Sequence, residues 1–111
     1  LHVIGEIGFD GATYRAMQFD GPGVASLSMD DRMTMANMAI EAGGKNGVCD
    51  VDDKTLAYVR KRSKVPTWEV YKDDPDAKFD AVYEWDLAKL EPLVAKPHSP
   101  DNKATARSAA T

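Results

Sequence analysis

A single cysteine, Cys49, leaves the chain unable to close an internal disulfide, which fits a reducing compartment. Only two histidines are present, His2 and His98, and they lie 96 residues apart, so no metal site is expected from this chain alone. No apolar run approaches the roughly 20 residues that a bilayer span needs, and no charged-then-apolar signal segment opens the chain. The sequence therefore reads as soluble. Positive charge is also short: 14 Lys and Arg stand against 18 Asp and Glu, a net −4, which is not the electrostatic footprint of a nucleic-acid binder. The one basic cluster, Arg60, Lys61, Arg62 and Lys64, suits the C-terminal end of a helix, where cations meet the negative end of the dipole. Gly21-Pro22-Gly23 lacks the spacing and the Lys-Ser/Thr of a phosphate-binding loop and reads as a turn. No nucleophile paired with a base is visible, nor any internal repeat or heptad pattern.

What is present suits one small α/β domain. The 111 residues are 43% hydrophobic, enough for a modest core. Residues 1–97 are read as a single domain of alternating short strands and helices on a small mixed sheet. Residues 98–111 are rich in Ser, Pro, Asn, Ala and Thr without apolar periodicity, and are read as a flexible tail or linker. The chain opens at Leu1, inside an apolar run reaching Ile7, and this suggests a piece of a longer protein.

Local signals place the elements. Tyr14–Phe19, between two Gly-containing turns, predicts a strand, and Pro22 suits the first turn of a helix. Met29–Ala42 is the clearest helix: Ser28 can cap it, Asp31 lies three residues on as in a capping box, and Gly43-Gly44 ends it. A strand over Asn46–Val51 and a helix from Asp53 to Arg62 follow, the latter capped by Asp52 or Asp53. After a Pro-, Asp- and Lys-rich loop, the alternation Phe79, Ala81, Tyr83, Trp85 predicts a half-buried strand. Leu93–Lys96 lies between Pro92 and Pro97, so it is extended but not central in a sheet. Trp68 and Trp85 read as packing residues, and Cys49 as a small buried hydrophobe in its strand.

The long helix carries the candidate chemistry. Spacings of four, three and four put Asp30, Thr34, Asn37 and Glu41 within an arc of about 60°. Met33, Met35, Ala36, Met38, Ala39, Ile40 and Ala42 make the rest of the circumference apolar, so the helix is expected to be largely buried. The stripe is open to two readings: an ordinary solvated face, or a line of side chains facing a site. It lacks the Lys and Arg that solvated faces usually carry, and Asn is a poor mid-helix residue.

Three runs then carry a family resemblance: Gly11-Ala12-Thr13-Tyr14, Phe19-Asp20-Gly21-Pro22-Gly23-Val24, and the continuous stretch from Ser28 through Met29-Asp30-Asp31-Arg32 and Asn37-Met38-Ala39-Ile40-Glu41-Ala42 to Gly43. Phe79–Tyr83 and Leu90–Asn102 continue it. The sequence resembles the aconitase family over nearly all of its length. The resemblance implies part of a three-layer α/β domain in the large subunit of a hydro-lyase. Such enzymes isomerise hydroxy acids by dehydration and rehydration at a [4Fe-4S] cluster. The implied substrates are 2- and 3-isopropylmalate, in leucine biosynthesis, with homoaconitate or a related tricarboxylate as the alternative. A non-catalytic interaction module is a reading from another class.

The implied partners are a small subunit and the remainder of the large subunit. The implied compartment is the cytoplasm in bacteria or the plastid in plants. Of the family's site residues, Asn37 matches an asparagine in the cluster environment and Glu41 matches a glutamate that pairs with an active-site histidine. Cys49 matches none of the three cluster cysteines, so this stretch is expected to hold neither cluster nor activity alone. With its histidine elsewhere, Glu41 is expected to be solvated, or to keep its proton to higher pH if buried.

Overall fold

Residues 1–110 are described by a computed structural model with principal extents of 53 × 30 × 24 Å. Helix α1 (His2–Ile7) buries Ile4 and stops at Gly8, whose φ of 88° a side chain would resist. Strand β1 (Ala16–Phe19) follows, then the short helix α2 (Gly21–Ser26), begun at Pro22 as expected. Helix α3 (Met29–Met38) tightens into a 3₁₀ turn over Ala39–Ala42 before strand β2 (Asn46–Cys49). β1 and β2 pair in parallel, from Ala16 opposite Asn46 to Phe19 opposite Cys49. Parallel pairing demands a crossover, and α2 with α3 provides it.

The capping chemistry at α3 is as the sequence predicts. The Ser28 side chain accepts a hydrogen bond from the Asp31 N–H at 3.1 Å, and Asp31 accepts from the Ser28 N–H at 3.3 Å. Gly43 ends the 3₁₀ turn with φ 82°, in the left-handed region. An added Cβ there would also stand 2.8 Å from Thr13 Oγ1. Gly43→Ala is expected to lower the unfolding free energy by about 1–2 kcal/mol, read as a shift in urea midpoint at constant slope.

Helix α4 (Asp53–Arg60) is capped by Asp52, which accepts from the Thr55 N–H at 3.0 Å. The basic cluster sits at its C-terminal end, as expected. There Arg62 Nη1 donates to the Tyr58 carbonyl at 3.1 Å, and its guanidinium lies 3.6 Å from the Tyr58 ring centroid.

A second sheet is an antiparallel pair, β3 (Leu93–Ala95) with β4 (Lys103–Thr105), followed by α5 (Ala106–Ala109), which Thr105 caps. The Lys103–Glu6 ion pair and a hydrogen bond from the Phe9 N–H to Asp101 Oδ2 at 3.2 Å tie this hairpin to α1 and its exit turn. The α/β class with a mixed set of pairings is thus as expected.

Three expectations change. The stretch 98–111, read from composition as a flexible tail or linker, contains β4 and α5 within its described residues. The ordering comes from outside that stretch: β3 supplies the ladder that composition alone could not reveal. Phe79–Trp85 is not a strand. It has no ladder partner among the described residues, and Phe79, Val82 and Tyr83 are exposed. Alternation makes a strand only where a neighbouring backbone takes up its N–H and C=O groups. Trp85 is nonetheless half-buried, stacked on Tyr83 and edge-on to His2, which agrees with a packing role.

Helix α3 is the third, because it is buried on one face only. Among its residues and the 3₁₀ turn, Arg32, Ala39 and Ala42 are buried, while Met33 and Ile40 are exposed along with the polar stripe. It packs chiefly on the four-residue strand β2, with α4 at its edge, a surface too narrow to cover a helix apolar over most of its circumference. The core is correspondingly thin. Ile4, Ala12 and Ala42 form its centre, with Ile7, Met17 and Met38 against them.

Candidate functional site

The stripe on α3 forms as the spacing predicts. Asp30, Thr34, Asn37 and Glu41 are all exposed. Thr34 Oγ1 donates back to the Asp30 carbonyl at 2.9 Å, a bond that occupies the hydroxyl within its own helix. Asn37 and Glu41 have no side-chain hydrogen bond or ion pair within the described residues. Glu41 lies in the 3₁₀ turn rather than in the α-helix, so it stands slightly off the line that a 3.6-residue period draws. Of the two expectations for Glu41, the solvated state is the one observed.

The opposite side of α3 holds a feature that the stripe analysis missed. Arg32 is 3% exposed and is the buried charged residue among the described residues. Its guanidinium forks onto Asp52, Nη1 to Oδ1 and Nη2 to Oδ2, both at 2.8 Å. Nη2 also donates to the Ala25 carbonyl at 3.0 Å, and Nη1 to Thr55 Oγ1 at 3.3 Å. Nε alone is buried without a partner. Two parallel charge-assisted bonds are the strong form of a carboxylate contact, and they hold the Asp52 carboxyl well below the usual carboxylate range. The same contact raises the Arg32 guanidinium above its ordinary value. Lys54 joins the group, its Nζ donating to the Ala25 and Leu27 carbonyls at 3.1 and 2.9 Å.

The sequence did hold a sign of this clamp. An arginine sits on the apolar side of an otherwise polar-striped helix, and an aspartate caps the next helix, α4. Nearby Cys49 is half-buried, and burial pushes its thiol up, consistent with a packing residue rather than a reactive one.

Residues 1–111 match the aconitase family (aconitate hydratase) in full. The chain belongs to the aconitase family. Among curated relatives, the 3-isopropylmalate dehydratase large subunit of Aquifex aeolicus is 58% identical over 102 residues, covering 92% of this chain and 23% of the relative. The protein of the same name from Clostridium botulinum is 59% identical over 105 residues, covering 95% of this chain and 25% of the relative. That from Acetivibrio thermocellus is 58% identical over 105 residues, with the same coverage. The chain thus spans about a quarter of the length of these relatives.

The family implies an iron-sulfur cluster in full-length members. The residues here do not fit its ligand set. One cysteine is present where three cluster thiolates are needed, and no group of three His, Cys, Asp or Glu side chains among the described residues could hold a metal ion. Neither is any helix among them long and apolar enough to cross a membrane.

Proposed function

We propose that this chain is a stretch of the large subunit of a hydro-lyase that interconverts 2- and 3-isopropylmalate in leucine biosynthesis, by dehydration and rehydration at a [4Fe-4S] cluster. The cluster's ligands come from outside these 111 residues, as do the small subunit and the rest of the large subunit that complete the enzyme. The contribution of this stretch is the α3 stripe, with Asn37 in the cluster environment and Glu41 paired to a histidine elsewhere in the subunit. A carboxylate that accepts from one imidazole nitrogen fixes the tautomer and raises the basicity of the other. That is the job proposed for Glu41. The stretch alone is catalytically silent.

The observation that supports this reading is the placement of Asn37 and Glu41. Both are exposed on one side of a helix that is clamped on its other side, within a sequence 58–59% identical to named dehydratase subunits. The bacterial relatives and the lack of a spanning helix among the described residues support a cytoplasmic setting.

The test is turnover of isopropylmalate by the complete large subunit assembled with its small subunit, with homoaconitate as the competing substrate. Glu41→Gln and Asn37→Ala are each expected to reduce turnover by about 10- to 100-fold. Unchanged turnover in both variants removes these two residues from the site. Iron and sulfide in the purified 111-residue chain, or isomerisation by it, overturns the assignment of silence.

A further inference from the structure

We infer that Arg32 is a positioning residue, setting the rotation of α3 about its own axis and hence the direction in which Asn37 and Glu41 are presented. The inference rests on the function proposed above for those two residues.

The geometry begins with the helix itself. At 100° per residue, Arg32 is about 160° from Asp30 and Thr34 and about 140° from Asn37. Arg32 therefore anchors the back of the helix whose front is the stripe. Its partners come from two separate places: the Ala25 carbonyl in α2, and the N-terminus of α4, where the Asp52 carboxylate and Thr55 Oγ1 both accept. A planar fork bound at both tips resists rotation in a way that a single point contact cannot.

Among the described residues no other side chain of α3 makes a polar contact with a neighbouring element; the 3₁₀ turn beyond it is held at its far end, where the Ala42 carbonyl accepts from the Ala12 N–H at 2.9 Å. The rest of the back face is Ala36, Ala39 and Ala42 with half-buried methionines, whose smooth surface slides more readily than it locks. With side chains at a radius of about 5–6 Å, a rotation of about 20° moves a stripe atom by roughly 2 Å. Misplacement by about 1 Å is enough to cost two orders of magnitude in rate.

The complete subunit, assembled and matched for iron content, provides the test. Arg32→Met and Arg32→Lys are compared with Leu93→Ala, a half-buried position in the separate β3–β4 hairpin. Arg32→Met is expected to lower kcat by at least 30-fold with KM within about twofold. Arg32→Lys, which keeps the charge but loses the fork, is expected to recover less than a third of that loss on a logarithmic scale. Leu93→Ala is expected to lower Tm and leave kcat unchanged. Equal kcat losses in Leu93→Ala and Arg32→Met overturn the inference, as does full rescue by lysine.

Where Arg32→Met does not assemble, Asp52→Asn is the milder variant and is expected to give the same split. Backbone hydrogen exchange on the same preparations is independent of the reaction. Exchange over residues 33–42 is expected to accelerate at least tenfold more than over β1. Unchanged exchange there sinks the positioning role even if the enzyme proves to act on another hydroxy acid. Absent dehydratase activity in the unmodified protein sinks the proposed function instead.

Discussion

Asp52→Ala is expected to destabilise the chain by about 3 kcal/mol, the lower end of what removing one partner of a buried ion pair costs. The lower end applies because Arg32 is buried while the Asp52 side chain is 36% exposed, so water can partly compensate the stranded guanidinium. The same substitution strips the α4 cap, since Asp52 also accepts from the Thr55 N–H and hydroxyl. In urea, with a slope of roughly 1.5 kcal/mol per molar, the midpoint should fall by about 2 M. Asp52→Asn keeps an acceptor for Thr55 and should lose about half as much. An unmoved midpoint for Asp52→Ala means the clamp contributes nothing.

The pair also sets an acid limit. Arg32 stays protonated throughout, so the titrating group is Asp52, whose folded pKa lies below its unfolded value of about 3.9. As pH falls, the unfolded chain takes up the proton first, and protonation then favours unfolding. The stabilisation is complete above about pH 5 and is lost progressively below about pH 4. Glu6, hydrogen-bonded to Lys103, and Asp101, hydrogen-bonded to Ser99, are lowered as well and act in the same direction. Asp52→Asn should flatten part of that acid slope in urea titrations at several pH values. An unchanged slope assigns it to the other carboxylates.

Gly47→Val should be nearly as damaging, with a loss of up to about 3 kcal/mol. Gly47 lies in β2 directly beneath α3. A Cβ there would come 2.9 Å from Ala36 Cα and 3.1 Å from its carbonyl oxygen, with Phe19 at 3.1 Å on the other side. The first two contacts are backbone and cannot swing away, so the helix must lift from the sheet. Near-ultraviolet circular dichroism from Phe19 and the thermal midpoint would both report it. Retention of both signals would mean that the helix has room to move.

Elements with local causes were legible in the sequence. Ser28, Asp31 and Gly43 mark the ends of the long helix through bonds made within a few residues, and Asp52 marks the next. The strands depended on partners. Asn46–Cys49 forms because β1 lies beside it, and Lys103–Thr105 because Leu93–Ala95 does, whereas Phe79–Trp85 has the better alternation and no neighbour. Period-2 patterning reports which face a strand would bury, not whether a ladder is available.

The site divides in the same way. Asn37 and Glu41 follow from helical spacing and family resemblance. Arg32 was hidden because its meaning lies in a contact with Asp52, 20 residues away, which no periodicity encodes. The apolar circumference of α3 was legible too, but its burial was not. Coverage depends on how wide a neighbouring surface is, and that is a property of the assembled fold.

The parallel pair β1–β2 has one further consequence. Each strand is paired on one side only among the described residues, so the ribbon has two open margins of unsatisfied N–H and C=O groups. In a wider sheet both margins would be internal. In a purified 111-residue chain they are templates on which another molecule's strand can register, flanked by the exposed side chain of Val48. Unfolding midpoints and exchange rates measured on that chain will therefore depend on its concentration, and the intrinsic values are those extrapolated to high dilution.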